Sequence, residues 1–429
     1  MRLTPLQQIL IYVAADTSLN VSSRVFQIYC TWYFLKVEFK EESLSLVLLT
    51  VWITSTVLLP FSGVLADRFK KSWVLLTASL LIMVAASSAI GVANASSLSE
   101  NHYWLPLELS VVGIIFSVGI ALIFPLGTPL IPEIACTETD IHRGIRLKSS
   151  MYVVNLLFGP TLAGLVIGRY GGVAALHLSI TAAALGLCLS LAFFGVFERI
   201  PVVQTIQTDT FHFFRALRDG VRRVLSIEAE RAIAIASLCA NMLLVPFIFL
   251  ILPAKILSHG LTMLDLAGVE IAVGVGIFAA SSILVHQLQR VLTEHGIASL
   301  GVCVLGASIF AFAYVDNLWL LRLLALALGI GLTTFNVTVN TKRAVSIPAG
   351  YRSTMESTLL FFCTITVPVG LWLSKSFLQV CSPNQVIVYG SALFSLAIAT
   401  VVLSRSLRLM LNAPKALVPY YAQTNGSLF

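Results

Sequence analysis

Long unbroken apolar runs alternate with short polar ones along the whole chain. A helix rises 1.5 Å per residue, so about 20 apolar residues cross the hydrocarbon core of a bilayer. Runs of that length fall at 6–34, 44–65, 72–92, 106–131, 147–167, 172–196, 232–252, 267–287, 296–315, 318–340, 353–374 and 386–407. They predict an all-α polytopic membrane protein with twelve transmembrane helices. The first, eighth and eleventh runs carry the most polar residues. The runs are continuous instead of alternating over about ten residues, which excludes a transmembrane barrel. The longest connection, 197–231, divides the chain into two six-helix bundles, 1–196 and 232–407, with a tail at 408–429. Inside that connection, apolar residues at 211, 213, 214, 217, 221, 224 and 225 alternate with Arg and Asp. That spacing predicts an amphipathic helix lying at the cytoplasmic surface.

Composition agrees with this pattern. The 429 residues are 58% apolar and 11% charged, with a mean hydropathy of +0.92. A soluble fold carries about a quarter charged residues, and a disordered chain has low hydrophobicity, so both classes are excluded. The net charge of +7 takes on meaning once it is laid over the crossings. Of the 27 Lys and Arg, 20 fall at the N-terminus, in the even-to-odd connections and in the tail. By the positive-inside rule both termini are cytoplasmic. The basic balance is therefore an orientation signal, and nucleic acid is not an expected partner. Arg2 precedes an apolar stretch that Asp16, Asn20 and Arg24 interrupt, and no small-residue cleavage site follows. The first run is read as a retained helix instead of a signal peptide.

The seven cysteines form no CxxC pair, and the histidines show no metal spacing, so neither a metal nor a cofactor is expected. No phosphate-binding Gly-rich Lys-Ser/Thr loop is present, which excludes direct ATP drive. No nucleophile or carboxylate pair is grouped for enzyme chemistry. What remains is the small set of polar residues within the crossings, which are expensive toward lipid and should line a water-filled path. Asp16, Asn20 and Arg24 lie at i, i+4 and i+8, with Gln27 near the same stripe. Two readings fit them: an Asp16–Arg24 network that ties the first helix to its neighbours, or a carboxylate that handles substrate or protons. Glu270, Asn241, Asn336, Asn340 and Glu356 are further pathway candidates. Glu356 also fits a salt bridge with Arg352, and the three asparagines also fit interhelical hydrogen bonding. Tyr29, Trp32, Tyr33 and Phe34 form an interfacial belt or an aromatic gate.

Five local motifs carry a resemblance. Gly63, Leu65, Asp67, Arg68 and Lys71 follow the second helix, with Phe69 and Lys70 at positions that usually include glycine. This run resembles the signature after helix two of the major facilitator superfamily, where it works as a conformational latch at the cytoplasmic ends. Gly159, Pro160 and Gly164 in the fifth run resemble the helix-five signature of the superfamily's exporters, with Leu165 departing from it. A Gly-Pro pair also bends a membrane helix on its own account. Weaker signals are Pro125, Pro129, Pro132 and Glu133, then Phe213, Leu217 and Gly220, then Pro348, Arg352 and Thr354 to Ser357. Their order is similar to the macrolide-efflux and enterobactin-exporter branch.

The resemblance implies a major facilitator fold of nested inverted repeats around a central cavity, and a secondary transporter that works by alternating access. Its partners would be a small-molecule substrate, protons and membrane lipids. It implies a monomer in a bacterial inner membrane. The substrate would be a siderophore or a drug-like amphiphile, exported against a proton gradient through Asp16 with Glu270 behind it. An importer or facilitator of a nutrient, metal or siderophore complex shares the same topology. So does a translocator of lysophospholipid or another lipid.

Overall fold

The computed structural model describes residues 4–38, 41–98, 104–126, 130–131, 134, 144, 147–148, 159, 162–197, 213–348, 352–414 and 419–426. All regular structure among them is helical. The elements are α1 (Pro5–Trp32), α2 (Glu41–Arg68), α3 (Lys71–Leu98), α4 (Leu105–Ile123), α5 (Gly172–Phe197), α6 (Phe213–Ser226), α7 (Glu228–Pro246) and α8 (Leu252–Ser258). They continue as α9 (Met263–Ala279), α10 (Val285–Leu288), α11 (Glu294–Phe312), α12 (Leu318–Ser346), α13 (Arg352–Leu378), α14 (Pro383–Leu403), α15 (Arg405–Leu411) and α16 (Tyr420–Thr424). Residues 162–170 are helical just before α5.

Ten helices among the described residues are long and apolar enough to cross a membrane. The protein is thus an all-α, multi-pass membrane protein. α1 is as long as these, with 28 residues, but its polar stripe sets it apart. Most of the fifth run, 147–167, lies outside the described residues. The helices extend past the apolar runs because the flanking residues cap them. Thr4 Oγ1 accepts from Gln7 N, and Gln7 Oε1 accepts from Thr4 N, around Pro5 in the first turn. Ser382 and Gln385 repeat the same reciprocal arrangement ahead of Pro383. The last apolar run, 386–407, is not one helix. Ser404 takes an extended backbone and its hydroxyl accepts from Leu407 N, which starts α15 as a separate short helix.

Among the described residues, single turns of π-helix end α1 at Tyr33–Val37 and break the long helices at Phe247–Ile251 and Ala280–Leu284. The middle one has a visible cause. Pro246 has no N–H to give to the carbonyl of Met242 four residues back. Gly370 of α13 comes up against that same carbonyl, with the Pro246 ring 3.0 Å from where a Cβ would stand.

The chain forms two compact units, Met1–His212 with Thr262–Ala267, and Phe213–Leu261 with Gly268–Phe429. In the first, α1 packs on α5, α2 and α3 on α4, and α3 on α5. Hydroxyl pairs fasten these contacts: Ser22 with Ser179 at 3.0 Å, and Ser79 with Ser190 at 2.7 Å. In the second, α7 packs on α13 and α14, and α11 on α12 and α14. Close approach of α9 and α12 depends on glycine. A Cβ on Gly276 would run into the carbonyl of Leu326, and one on Gly329 into that of Val273.

Candidate functional site

Gln8, Tyr12, Asp16 and Asn20 follow one another at four-residue spacing, so they share one face of α1. Asp16 is only 9% exposed. Asn20 Nδ2 donates to Asp16 Oδ1 at 3.0 Å and to the Asp16 carbonyl at 2.8 Å. Lys148 supplies the opposite charge acting on this carboxylate. Its ammonium stands 5.9 Å from the ring centroid of Tyr12. The Tyr12 hydroxyl is buried and has no hydrogen-bond partner among the described residues. A carboxylate, an ammonium, an amide and an unspent phenol thus meet on one helix face. Such a group can bind or release a proton with a change in its own bonding.

Two turns of α1 separate Asp16 from Arg24. Arg24 donates to Gln27 Oε1 at 3.3 Å. The aliphatic stem of Arg24 lies against Gly159, where an added Cβ would be 2.7 Å from its Cγ. Gly159 therefore leaves room for Arg24, and Gly164 is buried in the helical stretch 162–170. Pro160 lies outside the described residues.

The other candidates are dispersed. Asn241 Nδ2 donates to the carbonyl of Cys363 at 2.9 Å, joining α7 to α13. Glu270 is 5% exposed on α9, two residues from Gly268, where a Cβ would meet the Arg322 guanidinium at 3.0 Å. Asn336 and Asn340 are exposed on α12. The backbone is helical through Arg68, which puts Gly63, Asp67 and Arg68 in the last turns of α2 instead of after it. Lys71 opens α3 and is half-buried. The side chains of Asp67, Arg68 and Glu356 lie outside the described residues, as do the surroundings of Gly63. Among the described residues, no group of three or more His, Cys, Asp or Glu is placed to hold a metal ion.

Two polar clusters in the second unit have no counterpart among the sequence motifs. In one, Arg343 Nε donates to Glu230 Oε1 and Oε2 at 2.9 and 2.8 Å, and its Nη2 donates to the Met355 carbonyl at 2.9 Å. Tyr421 of α16 donates its hydroxyl to Glu230 Oε1 at 2.9 Å. All three side chains are buried. Burial, with the Glu230 charge behind it, pushes the Tyr421 hydroxyl well above the usual phenol range. In the other, the buried Lys255 ammonium donates to the Phe312 carbonyl and to Asn384 Oδ1, both at 2.7 Å, and pairs with Asp316 at 3.0 Å. The Lys255 hydrogen bond holds the Asp316 carboxyl below its ordinary range. His259 Nε2 stands 3.3 Å from the same carboxylate.

Residues 17–371 match the family model described as "Major Facilitator Superfamily". Solved structures similar to this chain include a point mutant of a peptide transporter POT, at 11% identity and a TM-score of 0.70, covering 94% of each chain. A bacterial homologue of the iron transporter ferroportin, in an inward-facing state, is similar at 16% identity and a TM-score of 0.66, over 95% of this chain and 99% of that one. The nucleoside transporter NupG is similar at 14% identity and a TM-score of 0.64, over 94% of this chain and 99% of that one. No curated protein sequence matches the chain. At these identities the structural likeness speaks to the fold.

Proposed function

The chain belongs to the Major Facilitator Superfamily, whose members are secondary transporters working by alternating access and not enzymes, and from that premise we propose that it exports a small amphiphilic compound in exchange for protons. The observation that carries this reading is the buried Asp16, held by Asn20 and faced by Lys148 beneath the unspent hydroxyl of Tyr12. A buried carboxylate attracts a nearby ammonium only while it is charged, so taking a proton weakens that pull. Proton binding and the arrangement of the α1 face are thereby linked.

Export as the direction is supported by Gly159 and Gly164, which match the exporter signature, and by the seat that Gly159 makes for Arg24. The Arg24 guanidinium suits an anionic group on the substrate, such as a siderophore carboxylate. The similar structures are named for peptide, iron and nucleoside transport, so their cargo selects no single compound. The reading includes twelve crossings in two six-helix bundles, 1–196 and 232–407, joined by the connection 197–231. It also includes a tail at 408–429, both termini in the cytoplasm, a bacterial inner membrane and a monomer.

The test is flux in inside-out vesicles at fixed membrane potential, with and without a pH gradient. The expected result is gradient-driven accumulation of the exported compound that Asp16→Asn abolishes. Flux indifferent to the gradient overturns proton coupling. Coupled flux that survives Asp16→Asn removes Asp16 from the role. Accumulation only in right-side-out vesicles reverses the direction, and accumulation of a lysophospholipid in preference to polar amphiphiles changes the cargo.

A further inference from the structure

Two amphipathic helices of the second unit meet at the first turn of α7. On α6, Gly220 and Val224 are buried, while Arg218, Arg222 and Leu225 face outward, Leu225 at 45% exposure. On α15, Leu407, Met410 and Leu411 are buried, while Arg405, Arg408 and Leu409 face outward, Leu409 at 55%. Both are anchored to the start of α7: Arg231 donates to the Leu225 carbonyl at 3.3 Å, and the Ser406 hydroxyl bonds to Glu228.

These four outward arginines make no ion pair among the described residues. The nearby acids do not serve them. Glu228 is engaged by Ser406, Glu230 is buried on Arg343, and Asp219 is half-buried on α6 itself. Guanidinium groups left without counter-ions, with leucines exposed beside them on two helices at the end of a membrane-crossing helix, fit the level of lipid headgroups. Arginine takes phosphate in a bidentate fork, and the leucines reach toward acyl chains. A free phosphate would leave those leucines in water, and an acidic protein segment would not reach below the headgroup level.

We propose that α6 and α15 together form a binding surface for anionic phospholipid, with Arg218, Arg222, Arg405 and Arg408 taking the headgroup phosphates. The surface lies within the second unit, and its lipid binding does not depend on what the α1 face transports.

The purified full chain is reconstituted in phosphatidylcholine bilayers, and the preference for spin-labelled phosphatidylglycerol over spin-labelled phosphatidylcholine is measured. The expected preference falls by about fivefold for each arginine replaced by glutamine, and it weakens with added salt. Arg290→Gln, at another exposed position of the same unit, leaves it unchanged. The double variants Arg218→Gln/Arg222→Gln and Arg405→Gln/Arg408→Gln test each helix separately, and circular dichroism verifies that each is folded. A wild-type preference retained by both double variants overturns the proposal. So does equal competition by inorganic phosphate or by a soluble poly-glutamate peptide, which would assign the surface to a free anion or to an acidic protein. Lipid preference is read without transport, so its outcome is independent of the cargo and of proton coupling.

Discussion

Glu230 is fully buried, and Arg343 and Tyr421 both donate to its carboxylate. Removing the Arg343 guanidinium with Arg343→Met leaves a buried carboxylate uncompensated, at a cost of about 3–5 kcal/mol. Tyr421→Phe leaves one acceptor site empty and costs about 1–3 kcal/mol. Denaturation in detergent micelles, followed by circular dichroism, should rank the two in that order. The double variant Glu230→Gln/Arg343→Met should recover part of the loss. The second cluster has a pH signature. Asp316 is held below its ordinary pKa of 3.8 by Lys255, so the folded state binds this proton less readily than the unfolded one. Its stabilising contribution is complete above the ordinary value and disappears as pH falls below it. Wild type should lose thermal stability on acidification from pH 5 to about 3 more steeply than Asp316→Asn, a comparison that differential scanning measurements make directly. Asp16 and Asn20 are legible as a pair because helical spacing alone brings i and i+4 together. Glu230 and Arg343 are 113 residues apart, and nothing in local periodicity connects them. Lys148 counts in the sequence only as one more basic residue of the cytoplasmic side, for the same reason: what it faces is decided by the folded chain around α1.

Helices are the most legible elements, since a run of apolar residues long enough to cross has few alternatives. Their ends are less so. Hydropathy sees neither the Thr4–Gln7 cap nor the Ser382–Gln385 cap, because both are made of polar residues outside the apolar run. It also carries the last crossing past Ser404, where the cap hydroxyl turns the chain into α15. The π-turns are invisible to it, since one extra residue in a turn leaves the apolar content unchanged. Close packing depends on single residues that hydropathy hardly weighs. Gly276 and Gly329 let α9 and α12 approach to backbone contact, so Gly276→Leu should push the helices apart and cost about 1–3 kcal/mol. A thermal-melt comparison with Gly91→Leu, where a Cβ meets nothing within 4 Å, checks that the cost comes from the contact and not from leucine itself.

At the scale of the molecule, orientation rests on charge placement, and two highly exposed loop residues report it. Val291 is 82% exposed between α10 and α11, and Val380 is 81% exposed between α13 and α14. In a chain with its own cysteines replaced, Val380→Cys should react with an impermeant maleimide on intact cells. Val291→Cys should react only once the membrane is opened. The reverse pattern would invert the topology drawn from the basic residues. The second unit is also closed by its own distant segments, with α16 returning to the first turn of α7. Tyr421 follows Glu230 by 191 residues. At about 5–20 residues per second of synthesis, the carboxylate waits roughly 10 to 40 s for the hydroxyl that caps it. For that interval Arg343 can already pair with the carboxylate while one acceptor site on it waits for its donor, so a ribosome paused within this stretch holds a chain whose largest helices are made but whose final clasp is still open.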